Sequence, residues 1–163
     1  MRLYFLRHGD AELGGSVNDS DRNLTSEGIA EAECAAGSVR LLKLTFTAIL
    51  SSPLDRARQT AAIVAKQYPA VQLQVFEHIS PTSDPQNLFR ELHSFPRDGR
   101  ILLVSHEPFI SHCIASLISG GGQPRISIKK ASLACVEVGS PIQRGAGILL
   151  WLLTTEQMKL MSR

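Results

Sequence analysis

Leu3-Tyr4-Phe5-Leu6-Arg7-His8-Gly9 is an apolar run of strand length that stops abruptly at a guanidinium, an imidazole and a glycine. Uninterrupted apolar residues over that length fit a strand buried on both faces of a parallel sheet, and open α/β sheets place their ligand crevices at the carboxyl ends of such strands. The same punctuation occurs twice more. Phe46 to Leu50 runs into Ser51-Ser52-Pro53-Leu54-Asp55-Arg56, and Ile101 to Val104 runs into Ser105-His106-Glu107-Pro108.

Between these runs lie segments with helical spacing. Thr25 is a predicted N-cap, followed by an inner face of Ile29, Ala32, Ala36 and Val39. Ser52 as N-cap, Pro53 in the first helical position and Asp55 in the first turn predict a second helix, with Leu54, Ala57, Ala61 and Val64 inward. Leu73 to Phe76 reads as a strand, and Asp84-Pro85 opens a short helix through Leu88, Phe89 and Leu92. Pro108 opens another, with Ile110, Cys113, Ile114, Leu117 and Ile118 buried and Gly120-Gly121-Gly122 as its stop. Ser132 to Val138 and Ile148 to Leu153 form a final strand pair. Strands alternating with helices predict an α/β fold: three layers, a mainly parallel sheet flanked by helices.

The length of 163 residues suits one domain spanning 1–163. A composition 44% hydrophobic and 20% charged is that of a globular protein, and a net charge of +2 gives no argument for nucleic acid. Three cysteines, Cys34, Cys113 and Cys135, are odd in number and read as reduced core thiols. The first residues form a strand carrying Arg2 rather than a signal peptide, and no apolar run reaches bilayer-spanning length. The expectation is a cytoplasmic protein that binds neither membrane nor nucleic acid.

If the three punctuated strands are parallel, Arg7, His8, Arg56 and His106 project from one edge of the sheet. Guanidinium forks and helix amino termini both favour tetrahedral oxyanions, and an unprotonated imidazole among them can attack phosphorus. His8 is the candidate nucleophile. His106 is the candidate donor to the phosphoryl oxygens in the transition state.

Arg7-His8-Gly9, the segment from Ser51 to Thr60 (SSPLDRARQT) and Val104-Ser105-His106-Glu107-Pro108 resemble the three signatures of the histidine phosphatase superfamily, also called phosphoglycerate-mutase-like. The resemblance implies that His8 is transiently phosphorylated, that Arg7, Arg56 and His106 form the phosphate pocket, and that neither metal nor cofactor is needed. Arg58, two residues beyond Arg56, points to another side of its helix and reads as a solvated charge or one standing behind the phosphate pocket.

Larger members carry a longer start motif and a helical insertion before the second histidine. Here the start reads RHGDAELG, and between Pro69 and Arg100 there is room for one strand and one short helix, so no helical cap domain is expected. Small size, the RHGDA start and an uncapped pocket resemble the SixA-type phosphohistidine phosphatases, which implies a phosphohistidine-bearing protein or histidine phosphotransfer domain as partner. A site without a lid offers a small sugar phosphate few remote contacts. A small-molecule phosphomonoesterase and a non-catalytic phosphoprotein-binding module are the alternatives.

An alkoxide leaving group needs a general acid, whereas imidazole leaves phosphorus readily near neutral pH. Glu77, directly after the third strand, is the leading candidate acid, ahead of Glu107 and Asp10. His106-Glu107 and His112 do not form a zinc helix, since six residues separate the histidines where that motif needs four. His78, His93 and His112 read as surface residues, and Ser105 lacks the glycines of a nucleophile elbow.

Overall fold

The computed structural model describes residues 1–14, 18–120 and 125–161. Its elements run β1 (Arg2–Arg7), α1 (Ser26–Leu41), β2 (Ala48–Ser51), α2 (Asp55–Ala65), β3 (Leu73–Val75), α3 (Pro85–Leu92), β4 (Arg100–Ser105), α4 (Phe109–Ser119), β5 (Leu133–Glu137), β6 (Ile148–Leu153) and α5 (Thr155–Met161), with 3-10 turns at Asp19–Asp21 and Glu77–Ile79. The strands form one sheet in the order β3-β2-β4-β1-β5-β6. β3, β2, β4 and β1 are mutually parallel, and β5 is antiparallel to both β1 and β6.

Consecutive apolar residues through the middle of the central strands, Leu3–Leu6, Ala48–Leu50 and Ile101–Val104, let both faces bury at once, because successive side chains point to opposite sides. Leu3 and Phe5 of β1, Ile101 and Leu103 of β4 and Leu50 of β2 pack with α3 and α4. Tyr4, Leu6, Leu102, Val104 and Ile49 pack on the other face with α1, α2 and Met158 of α5. The result is the three-layer α/β architecture expected from the strand and helix alternation. Between β3 and β4 the chain holds the Glu77–Ile79 turn and α3, with no helical cap.

Local chemistry places the loop after β1. Thr25 caps α1, its hydroxyl accepting from the Gly28 N–H at 3.1 Å. A Cβ on Gly28 would lie 1.9 Å from the Asp10 carbonyl oxygen, and one on Gly9 would lie 2.3 Å from the Gly28 carbonyl oxygen. Only glycines permit this backbone approach, which seats the Arg7-His8-Gly9 end of β1 against the start of α1. The approach also fixes the rotation of α1: Gly28, Ala32, Ala35, Ala36 and Val39 face inward, and Ile29, expected inside, is 43% exposed.

Two other expectations need correction, and one helix was not expected. α2 begins at Asp55 with Leu54 as N-cap, later than the start expected at Pro53; the Ser52 hydroxyl still accepts the Leu54 N–H at 3.4 Å and also meets His106 Nε2 at 2.8 Å. Ile118 is only partly buried on α4. α5, unexpected from periodicity, buries little beyond Thr155 and Met158, and its start is fixed by Thr154 and Gln157, each bonding the other's backbone N–H. Gly120 ends α4 in the left-handed conformation at φ 61°, as expected of the glycine stop; Gly121 and Gly122 lie outside the described residues. Among the described residues no helix is long and apolar enough to cross a membrane.

Candidate active site

Strand register brings the three sequence segments together. Arg7 of β1 pairs with Ser105 of β4, and Ser51 of β2 pairs with Val104, so His8, Ser52 and His106 each lie one residue past the last ladder pairs. The His8 N–H donates to the Ser105 carbonyl and the Ser52 N–H to the Val104 carbonyl, both at 3.0 Å. β5 runs the other way, so its start joins the same edge: the Arg7 N–H donates to the Ser132 carbonyl at 3.1 Å.

His8 is 8% exposed, and its Nδ1 lies 2.6 Å from the Gly9 carbonyl oxygen. A carbonyl only accepts, so Nδ1 carries the proton and Nε2 holds the lone pair. Burial above all, then the positive charges of Arg56, Arg7 and Arg22, push the His8 pKa down to about 4, against the opposing Gly9 hydrogen bond. The imidazole is therefore neutral at neutral pH, the state a nucleophile needs.

His106 is 1% exposed, with Nε2 2.8 Å from Ser52 Oγ. Burial, then His8 and the neighbouring arginines, drive its pKa well below the ordinary histidine value, with Asp19 opposing. Arg56, in the first turn of α2 and 4% exposed, donates from Nη1 to the Asp19 carbonyl at 2.5 Å and from Nη2 to Asp19 Oδ2 at 3.0 Å. Thr60 ties α2 to the start of the loop after β1, its hydroxyl donating to the Arg56 carbonyl at 2.8 Å and accepting the Gly9 N–H at 3.3 Å. Arg7 donates from Nη1 to the Ile128 carbonyl at 2.7 Å, and burial lowers its pKa against the pull of Glu107 and Glu31.

Three buried side-chain polar atoms have no hydrogen-bond partner among the described residues: Arg7 Nε, His106 Nδ1 and Ser132 Oγ. All three belong to residues at this one edge. A buried polar group left unpaired costs about 1–3 kcal/mol, so three in one place mark a site built to hydrogen-bond something else. Two of them belong to residues beside the neutral His8 imidazole, Arg7 next in sequence and His106 with its ring centroid 4.9 Å away, and a tetrahedral oxyanion with several acceptor oxygens suits the guanidinium N–H there.

The candidate acids separate clearly. Asp10 is tied down, with Oδ2 accepting from the Thr25 hydroxyl at 2.7 Å and Oδ1 paired with Lys130; those bonds hold its carboxyl below the usual range. Glu107, just before the Pro108 N-cap of α4, is tied to the helix start, its Oε1 accepting the Ser111 N–H at 3.0 Å. Glu77 stands exposed at the carboxyl end of β3, on the same edge as the histidines. Arg58 pairs with Asp55 at 3.2 Å and stays in solvent, as expected. His78 lies 3.8 Å from Glu91, and His93 and His112 are exposed. No group of three or more His, Cys, Asp or Glu side chains among the described residues is placed to hold a metal ion. Sequence reading missed Asp19, Arg22, Ser132 and the bond from Ser52 to His106; the polar segment around Asp19 and Arg22 has no periodicity to read.

The fold and this cluster define an enzyme that handles phosphoryl groups at the carboxyl edge of an α/β sheet. Residues 3–80 match the profile of the histidine phosphatase superfamily (branch 1). An uncharacterized protein of Picosynechococcus is 33% identical over 159 residues, covering 95% of this chain and 96% of that one. The phosphohistidine phosphatase SixA of Escherichia coli is 27% identical over 164 residues, covering 98% of each chain. A solved structure of the protein histidine phosphatase SixA complexed with tungstate superposes with a TM-score of 0.84 at 26% identity, over 97% of this chain and 99% of that one. The chain belongs to the histidine phosphatase superfamily and is a phosphatase by class.

Proposed function

We propose that this phosphatase hydrolyses phosphohistidine carried on a protein, a histidine phosphotransfer domain being the substrate class, with His8 as nucleophile. His8 Nε2 attacks phosphorus while the P–N bond to the substrate imidazole breaks, and the departing imidazole takes a proton from solvent near neutral pH. Water then attacks the phosphoryl group on His8, the enzyme P–N bond breaks, and inorganic phosphate leaves with His8 regenerated. Arg7, Arg56 and His106 compensate charge on the equatorial oxygens throughout, so no metal is required.

The observation that carries this reading is the pairing of a neutral His8, its Nδ1 held by Gly9, with the partnerless polar atoms Arg7 Nε, a donor, and His106 Nδ1. Substrate class is supported by the short segment between β3 and β4, which leaves the edge open to a phosphoryl group borne on a protein surface, and by similarity to the Escherichia coli enzyme. The test is a panel of phosphohistidine protein, phosphohistidine peptide, aryl phosphate and sugar phosphates. The protein-borne phosphohistidine is expected to give the highest kcat/KM; a preference for sugar phosphates would replace this reading with a small-molecule phosphomonoesterase.

A further inference from the structure

The Asp19 carboxylate bridges two guanidinium groups. Its Oδ2 accepts from Arg56 Nη2 at 3.0 Å and its Oδ1 from Arg22 Nη1 at 2.8 Å. Each carboxylate oxygen thus takes a hydrogen bond from a different arginine, the pattern two non-bridging phosphoryl oxygens would make. The two arginines are firmly seated: Arg56 lies buried on α2, and Arg22 is anchored by its Nε donating to the Glu12 carbonyl at 2.5 Å. The Asp19 carboxylate is not: the Asp19 backbone carbonyl is held by Arg56 Nη1 at 2.5 Å, but the side chain is 62% exposed, and the 3-10 turn that carries it, Asp19–Asp21, buries none of its residues.

We propose that Arg22 and Arg56 together form an oxyanion subsite of the active centre, and that the Asp19 carboxylate holds this subsite in the ligand-free enzyme until a substrate phosphoryl oxygen displaces it. The inference rests on the phosphatase reading above and adds Arg22 as a substrate-binding residue. Arg22 reaches the reacting centre electrostatically, since its charge is among those acting on His8, and the charge of Asp19 acts on His106 in the opposite sense. A phosphoryl dianion brings more charge and more acceptor oxygens than a carboxylate, and an exposed Asp19 is rehydrated on release, so the exchange favours the substrate. Asp19 then lowers apparent affinity by the fraction of enzyme it keeps occupied.

Tungstate, a tetrahedral dianion, tests this by isothermal titration calorimetry on the full chain, with a thermal melt for each variant. Asp19→Asn is expected to tighten tungstate binding about threefold to tenfold, the effect of removing one partly exposed competing ion pair. Arg22→Ala is expected to weaken it about tenfold or more, with Arg22→Lys intermediate because it keeps the charge and loses the fork. If Arg22→Ala does not fold, Arg22→Lys carries the test alone. Weaker binding in Asp19→Asn would overturn the proposal by making Asp19 a positioner of Arg56, and unchanged binding in the folded Arg22 variants would overturn it by removing Arg22 from the subsite. Since binding needs no turnover, this pattern together with inert phosphohistidine would refute only the proposed substrate. Absence of tungstate binding in every variant would refute both.

Discussion

His8 and His106 stand with ring centroids 4.9 Å apart and planes tilted by 55°, one at the end of β1 and the other at the end of its parallel neighbour β4. Both rings are buried among guanidinium groups and both are driven toward the neutral form. Adjacent strand ends therefore present one imidazole with a free lone pair and a second as a hydrogen-bonding neighbour.

The first expectation concerns charge. Arg7→Ala and Arg56→Ala should each lower kcat by at least about 10²–10³-fold, the usual scale for removing a donor from a site that stabilises developing oxyanion charge. Arg56→Lys should recover little of it, because a point charge cannot replace two donors in a fixed fork. Steady-state kinetics after dialysis against EDTA checks the companion claim: turnover should be unchanged, and rescue by added magnesium or zinc would contradict it.

The second concerns pH. The ordinary histidine pKa is about 6.5, and that of folded His8 is pushed down to about 4. Between those values the unfolded chain binds a proton that the folded chain refuses, so the stabilisation is complete above about pH 6.5 and is lost as pH falls toward about 4, by an amount on the order of a few kcal/mol. His106 acts in the same direction. Urea unfolding at neutral and mildly acidic pH should show a smaller acid-induced loss in His8→Asn than in wild type. Imidazole NMR should show His8 titrating well below the ordinary value.

Glu77 supplies the third. For a phosphohistidine substrate the leaving imidazole needs no side-chain acid, so Glu77→Gln should leave kcat/KM nearly unchanged; for an alkyl phosphate ester it should lower the rate much more. Equal large losses on both substrates would make Glu77 a binding or structural residue instead.

Packing gives the fourth. Gly28→Ala would set a methyl group 1.9 Å from the Asp10 carbonyl oxygen, backbone against backbone with no side chain to yield. A loss of more than about 2 kcal/mol is expected, read as a lowered Tm, together with reduced activity as the His8 end of β1 shifts.

Much of this site was legible because its chemistry sits where apolar patterning stops. Three apolar runs marked the central strands, and the polar residues ending them, Arg7, His8 and His106, with Arg56 in the first turn of α2, meet at one edge once β1, β2 and β4 are parallel. Features settled by tertiary contact were not legible. Ser52 has the chemistry of an N-cap and does accept the Leu54 N–H, but its second partner, His106, comes from a distant strand and only the fold supplies it. Ile29 fits the helical spacing, but the contact between Gly28 and Asp10 rotates it outward. Asp19 and Arg22 lie in a polar stretch where no hydrophobic pattern fixes position, so nothing before the fold itself places them beside Arg56.

The central claim is that the phosphoryl group passes through His8. The most direct measurement is a rapid alkali quench of the enzyme mixed with radiolabelled phosphohistidine phosphotransfer domain, followed by peptide mapping and an acid-lability check of the labelled peptide, run beside His8→Ala with its melt. The expected result is an acid-labile, alkali-stable label on the His8 peptide of the wild type, and no label or phosphate release from a His8→Ala variant that melts as the wild type does. Phosphate release by folded His8→Ala at a rate comparable with wild type, or label on any other residue, would contradict the account.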